Sequence, residues 1–408
     1  MNQIACRGCG ASGLEVVLDL GEMPLANAIL SQDDLARPEP RFPLALAYCP
    51  VCWLVQITET VPPDALFREY TYFSSVSDAF VEHSRVIAER LIAERGLGPS
   101  SLVIELASND GYLLQHYARA GVPVLGIDPA RNIASVATAR GVPTLAEFFT
   151  RDLADELATS GRTADVVHAN NVIAHIPDLN GFVAGIARIL KPGGVAVIET
   201  PYLRELVDRL EFDTIYHEHL FYHSLTALAR VFERNGLDIV DVERIAVHGG
   251  SLRVFAMRSG ATETGPAVLS LLAEEAAVGL CSPEYYAAFA DRVDALGKEL
   301  RAMLTDLRSQ GHTVAAYGAA AKGAVLLNAF DIGPDLISFV ADRSPHKQGF
   351  LMPGVHIPIV EPEQLVIRKP DECLLLAWNF ADEILAQQAE YRRLGGRFII
   401  PGPKLTLV

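Results

Sequence analysis

Asp213-Thr214-Ile215-Tyr216-His217-Glu218-His219-Leu220 sets two carboxylates, a phenol and two imidazoles among apolar neighbours. Drawing so many titratable groups out of bulk water is costly unless chemistry requires them. An imidazole with an ordinary pKa near 6.5 is suited to taking a proton at neutral pH, a service worth about 10²–10⁴ in rate. We assign that base to His219. Tyr216 can donate its phenolic hydrogen to an oxygen that gains charge, and Glu218 can bind a substrate hydroxyl or orient an imidazole. In an extended segment residues 216 and 218 face one way and 217 and 219 the other. His217 therefore stands as the competing base, and either histidine as a hydrogen-bonded structural residue. A metal site of His217, His219 and His223 lacks the helical i, i+4 pairing, and no nearby motif completes it.

Sulfur supplies the second constellation. Four of the six cysteines form two Cys-x2-Cys pairs, Cys6/Cys9 and Cys49/Cys52. Each pair puts two thiolates on one knuckle turn, and two knuckles together make the tetrahedral four-sulfur shell of a structural Zn²⁺, with no position left for catalysis. The alternatives are reduced, unliganded thiols or a redox pair, and neither pair opens a helix after a strand as a thioredoxin-like unit requires. The long interval between the knuckles must fold as an insertion or hairpin. Cys281 and Cys373 are isolated and read as packing residues.

The elements that carry these groups need more than one core, since 408 residues of which half are hydrophobic exceed what a single core supports. Residues 1–67 are expected to form the zinc-binding module, ending at Val61-Pro62-Pro63. The run Arg68–Ser77 is an aromatic, hydroxyl-rich linker that contains Tyr70. Ser77 then caps a helix with Phe80, Ser84, Ile87 and Leu91 at helical spacing. Residues 68–260 are expected to hold a central Rossmann-like domain. It opens with the apolar strand Leu102–Leu106, a small polar turn and a helical pattern at Leu113, Leu114 and Tyr117. Further strands are expected at Val122–Ile127, Asp165–Ala169 and Val195–Glu199. The net charge of −16 disfavours nucleic acid or an anionic membrane as partner. Met1–Gly10 has no apolar signal core and no apolar run approaches a membrane span, so a cytoplasmic place is expected.

The first turn separates two nucleoside cofactors. A dinucleotide needs glycines where its pyrophosphate approaches the backbone, but this turn reads Ala107-Ser108-Asn109-Asp110-Gly111 and carries an acid that repels an anion. S-Adenosylmethionine has no phosphate and carries a sulfonium and an ammonium. The reading is therefore a methyl donor, with Glu105, Ala107, Asn109, Asp110 and Gly111 around the turn. Asp128, at the end of the second strand, would take the ribose hydroxyls, and Asn170 and Asn171 follow the fourth strand.

Several motifs then occur in order: the two knuckles, Glu105-Leu-Ala-Ser-Asn-Asp-Gly-Tyr-Leu-Leu114, Asn171-Val-Ile-Ala-His175, Tyr216-His-Glu-His219 and His248-Gly-Gly-Ser-Leu-Arg253. In this the chain resembles the sugar C-methyltransferases of antibiotic deoxysugar biosynthesis. The resemblance is strongest to the C-3 methyltransferases that act on dTDP-linked 4-keto-2,6-dideoxyhexoses, and it covers nearly the whole chain. It implies that the knuckles hold zinc, that the central domain binds S-adenosylmethionine and that the last domain helps to bind the nucleotide sugar. It also implies the trio Tyr216, Glu218 and His219. The chemistry agrees: a sulfonium methyl needs a carbon nucleophile, which a 4-keto sugar offers once the proton beside its carbonyl is removed. Tyr70 and His175 are second choices for lining the pocket.

Residues 261–408 are expected to form a second Rossmann-like α/β domain. Ser282-Pro283 starts a long helix with Phe289, Val293, Leu296, Leu300, Leu304 and Leu307 on one stripe. After it, Thr313–Gly323 repeats the strand, small-residue turn and helix, now with Lys322 and no acid. Its amides, Lys322, and Arg343 and Lys347 in the loop after Asp342 could meet a diphosphate; equally, small residues at such a turn can serve close packing alone. The expected fold is thus an N-terminal zinc-binding module followed by two Rossmann-like α/β domains, read as a monomer, with the active site in the cleft between the two α/β domains. The competing readings are a C-5 or heteroatom methyltransferase of the same fold, and a zinc-ribbon protein that binds nucleic acid.

Overall fold

In the computed structural model, which describes residues 5–62 and 73–408, three sheets carry the chain. The interval between the cysteine pairs folds as an antiparallel hairpin of β1 (Glu15–Pro24) and β2 (Arg41–Tyr48), and β2 pairs with β3 (Val55–Ile57). A fourth strand closes this sheet from far along the chain: Val55 and Gln56 pair with Tyr222 and Phe221. The Ile57 N–H donates to the Leu220 carbonyl at 3.0 Å. The zinc-module sheet is therefore completed by the residues that follow Tyr216–His219.

Seven strands form the central sheet: β4 (Val103–Leu106), β5 (Val124–Ile127), β6 (Thr144–Leu145), β7 (Ala164–Asn170), β8 (Leu190–Pro201), β10 (Leu237–Ile245) and β11 (Ser251–Arg258), with β9 being Phe221–Tyr222. Their spatial order is β10-β11-β8-β7-β4-β5-β6, parallel from β8 to β6 and antiparallel at β11 and β10. Continuous burial on β4 and most of β7 explains their unbroken apolar runs. Helix Asp78–Arg95 starts where its cap predicts, the Ser77 side chain accepting from the Phe80 N–H. The chain stays on this unit beyond residue 260: Glu275 of helix Pro266–Ala277 accepts the orphan N–H groups of Leu225 and Thr226 at 2.7 and 2.8 Å, capping the preceding helix Leu225–Arg234.

Helix Pro283–Ser309 buries Phe289, Val293, Leu296, Leu300 and Leu304. Its Tyr286 stacks on Tyr48 of β2 at 5.0 Å, so one helix braces the zinc module and leads into the last sheet. That sheet contains β12 (Val314–Tyr317), β13 (Val340–Ala341), β14 (Ile359–Val360), β15 (Glu372–Leu375), β16 (Arg397–Ile400) and β17 (Thr406–Leu407), in the order β14-β13-β12-β15-β16-β17 and parallel except at β17. β13 is confined to Val340–Ala341, because Leu336 and Ile337 turn back to donate to the Gly333 carbonyl. No helix among the described residues is long and apolar enough to cross a membrane.

Candidate active site

The stretch from Asp213 is not extended. Phe212–Thr214 is one 3₁₀ turn, and a second turn follows in which the His219 N–H donates to the Tyr216 carbonyl at 2.8 Å. The expected alternation of faces is replaced by a pairing: the rings of Tyr216 and His219 lie 4.1 Å apart, with His175 4.9 Å from His219 on another side. Nδ1 of His219 is 2.8 Å from the Thr214 carbonyl. A carbonyl only accepts, so Nδ1 carries the proton and Nε2 is the basic nitrogen. His175 donates from Nδ1 to the Glu218 carbonyl at 2.6 Å, and its burial pushes it below the ordinary imidazole range, so it stays neutral.

The two competing histidines are separated by their surroundings. His217 turns to the zinc module, its Nε2 3.2 Å from the Pro43 carbonyl and its ring edge-on to Phe42. Glu218 turns the same way, accepting from Asn27 Nδ2 at 2.7 Å, and burial pushes its carboxyl up. Asn27 escaped the sequence reading, as a single amide in an apolar stretch carries no signal of a partner so distant in sequence. Tyr70 lies outside the described residues.

At the ends of the central strands, buried polar atoms lack partners within the protein: both carboxyl oxygens of Glu105, Ser108 Oγ, Asn170 Oδ1, and both side-chain polar atoms of Asn171. Burial pushes the Glu105 carboxyl well above the usual range. Ala107, Asn109 and Asn171 adopt left-handed φ of 52°, 48° and 55°, a strain of about 1–3 kcal/mol each for residues with a Cβ and one that concentrates at functional sites. Asp128 accepts from the N–H groups of Asn109 and Ala130, both at 2.9 Å, which shapes the turn around its carboxylate. Asp110 Oδ2 is held by Ser75 and by Arg140, the latter at 2.8 Å, while its buried Oδ1 has no partner within the protein. Gly111, at φ +81°, leaves room that a Cβ would take from Val142.

The basic residues of the last domain are spread apart. Lys322, expected at a diphosphate, points its ammonium at the fully buried Asp213, 3.7 Å away, and over the Trp378 ring at 4.3 Å. A buried carboxylate draws the nearest cation. Lys347 donates to the Ala319 carbonyl at 2.7 Å, and the exposed Arg343 pairs with Glu383 at 3.7 Å. Gly318 and Gly323 pack against Ala377 and Leu376 with no space for a Cβ.

The sulfur atoms of Cys6, Cys9, Cys49 and Cys52 all lie within 4.8 Å of one another. Cys6 and Cys52, and Cys9 and Cys49, approach to 3.5 Å. Hydrogen bonding from Cys52 pulls the Cys6 thiol down to about 5 and pushes that of Cys52 up.

Comparison with known proteins decides the family. The chain is 41% identical over 404 residues to the C-methyltransferase NovU of Streptomyces niveus, an alignment that covers 99% of this chain and 96% of that one. The chain belongs to the C-methyltransferase family. Family models agree along its length: a zinc binding domain at residues 6–67, a methyltransferase domain at 80–242 and a C-methyltransferase C-terminal domain at 246–403. A ubiquinone biosynthesis O-methyltransferase of Rhizobium etli (strain CIAT 652) is 34% identical over 102 residues, 24% of this chain and 40% of that one. Among solved structures, magnesium protoporphyrin IX methyltransferase from Synechocystis PCC 6803 with bound SAM aligns at 17% identity and a TM-score of 0.35, over 47% of this chain and 86% of that one.

This C-methyltransferase uses S-adenosylmethionine and carries a structural zinc, and its own atoms fit both. The unpartnered carboxyl of Glu105, Asn170 Oδ1 and the unpartnered amide of Asn171 match a ligand with an ammonium and an adenosine. Four clustered sulfurs fill a tetrahedral shell completely. With β9 in its sheet, the zinc module of this C-methyltransferase is joined directly to the segment that follows Tyr216–His219.

Proposed function

We propose that this C-methyltransferase methylates C-3 of a nucleotide-linked (dTDP) 4-keto-deoxysugar. The division of labour follows the sequence: residues 1–67 hold zinc, 68–260 the methyl donor, and 261–408 contribute to the nucleotide sugar. The observation that carries the reading is the Thr214 carbonyl at His219 Nδ1, which makes Nε2 a base, with the Tyr216 ring against the same imidazole.

Nε2 takes the proton from the carbon beside the keto group, leaving an enolate, and His219 becomes an imidazolium. The Tyr216 hydroxyl donates to the enolate oxygen, and the buried Glu218 with Asn27 orients a sugar hydroxyl. S-Adenosylmethionine supplies an electrophilic methyl group when bound, and Glu105, Asn170 and Asn171 hold that donor at the strand ends. The enolate carbon would take that methyl as the keto group returns, the methyl–sulfur bond breaking with its electron pair going to a neutral thioether leaving group. Burial of this loop between three sheets keeps water from quenching the enolate. A cleft of about 370 Å³ between the central and C-terminal units, lined by Glu205, Arg209, Arg244, Gly249, Asn379 and Phe380, supports an anionic nucleotide-sugar substrate. Its two guanidiniums share Glu205 yet stay about half exposed.

The test is incubation with S-adenosylmethionine and a dTDP-linked 4-keto-2,6-dideoxyhexose in deuterium oxide, followed by mass and carbon NMR. A new methyl on the carbon beside the ketone is expected. A methyl on oxygen, or on C-5, would replace this reading with another transferase of the same fold.

A further inference from the structure

Asp213 belongs to the same 3₁₀ turn as Thr214, whose carbonyl holds His219 Nδ1, but its side chain points away from His219 into the C-terminal unit. There Oδ2 accepts from Trp378 Nε1 at 2.7 Å, while Lys322 Nζ stands 3.7 Å from Oδ1. Lys322 is fixed in turn by Asn379 Oδ1 at 3.4 Å and by the Trp378 face at 4.3 Å. Trp378 and Asn379 sit on one 3₁₀ turn, and Lys322 lies in the first turn of helix Ala321–Ala329. A charged side chain with no exposure, met by a cation and an indole N–H from another unit, is an unusual investment in one backbone turn. Within the turn the Thr214 and Ile215 N–H groups donate to the Glu211 and Phe212 carbonyls at 3.0 Å, Phe212 packs on Phe330, and the Tyr222 hydroxyl reaches the Thr214 carbonyl at 3.4 Å; Asp213 adds a charged tie to the C-terminal unit.

We infer that Asp213, Trp378 and Lys322 form a clamp through which the C-terminal unit fixes the Thr214 carbonyl, and with it the Nδ1-protonated tautomer and the aim of His219. None of the three touches the reacting atoms; they are positioning residues. The rotation that a loosened turn permits would let Nε2 take the proton, and a histidine protonated on Nε2 presents no lone pair to the substrate. Lys322 thereby serves the base and not a diphosphate. This inference rests on His219 as the base, so its test must read the imidazole as well as turnover.

The variants are Trp378→Phe, which deletes only the N–H donor and keeps a ring beneath Lys322, and Asp213→Asn, which keeps an acceptor for Trp378 and deletes the charge. Two readouts are taken on the full-length zinc-loaded protein. The first is ¹⁵N NMR of the ring nitrogens without substrate, with the His219 signals identified by their loss in His219→Asn. The second is exchange of the substrate's proton for deuterium together with kcat and KM. Both variants are expected to shift His219 from one tautomer to a mixture and to slow exchange and kcat by about 10–100-fold, the scale of a slightly misplaced base, with KM within about twofold. Should Asp213→Asn fail to fold, Trp378→Phe alone carries the test. Ring signals and exchange unchanged from the parent in Trp378→Phe would overturn the clamp. So would unchanged ring signals with a raised KM, which would return Lys322 and its neighbours to substrate binding. Parent protein that shows the Nδ1-protonated ring but exchanges no substrate proton would instead overturn the proposed function and leave the clamp standing.

Discussion

The two α/β units repeat one device and put it to opposite uses. In the central unit the acid after the second strand, Asp128, accepts from the turn amide of Asn109 and from its own neighbour Ala130. In the C-terminal unit Asp342 does the same with Ala319 at 2.6 Å and Ser344 at 2.8 Å. Beyond that the units part. The central strand ends carry strained non-glycine residues and a group of unpartnered buried polar atoms, whereas every such atom among the described residues lies before residue 224. The C-terminal strand ends are filled: Gly318 meets Ala377, Lys347 caps the Ala319 carbonyl and Lys322 reaches out to Asp213. A shared scaffold does not carry a shared ligand; what decides is whether the polar groups at its mouth are left for a guest or satisfied by the protein.

The sharpest way to break this comparison is to remove the proposed base. His219→Asn is expected to lower kcat by about 10²–10⁴, while His217→Asn, which loses only a bond to the Pro43 carbonyl and packing on Phe42, keeps most of the turnover. Steady-state rates of the two variants check this, and the reverse ranking would move the base to His217.

A smaller effect tests the guest site. Burial raises Glu105 above its unfolded range, so between the ordinary carboxylate pKa and the raised one the folded chain holds a proton that the unfolded chain has lost. In that window stability falls as pH rises. An ammonium beside the carboxyl favours its charged form, so binding S-adenosylmethionine expels this proton and tightens as pH rises through the same window. Calorimetry in two buffers of different ionisation heat should show proton release by the parent and none by Glu105→Gln, with affinity about tenfold weaker, the worth of one charge-assisted contact. Equal proton release by both would remove Glu105 from the donor site.

The smallest effect belongs to the filled site. Gly318→Ala puts a Cβ 2.9 Å from that of Ala377 at φ +97°, a penalty of about 1–3 kcal/mol. Thermal unfolding should fall by several degrees with donor affinity unchanged. A change in donor affinity would mean that the two units are not independent in their ligands.

Much of this was legible where the signal is local. Paired cysteines, an apolar strand broken by Ala107–Gly111, and a serine-proline helix start each state their structure within a few residues. The Tyr216–His219 stretch does not, since its types announce chemistry but its conformation is set by Asn27, Pro43, Ala174 and Trp378, all distant in sequence. Alternation was the wrong template because no sheet partner spans those residues. Likewise the purpose of Lys322 is decided by a carboxylate that only the packed structure brings near, and the place of helix Pro266–Ala277 by Glu275 finding the open end of another helix.

The pairing of β3 with Phe221 and Tyr222 has a consequence for synthesis of the chain. A ribosome delivers the cysteine knuckles first, and metal can gather them early, but the edge of Val55–Ile57 stays unpaired until Tyr222 emerges. Over that interval the nascent module exposes a sheet edge ready to pair with any other strand. Its completion is the same event that seats the Tyr216–His219 loop, so a chain that has finished its first sheet has also placed its proposed base.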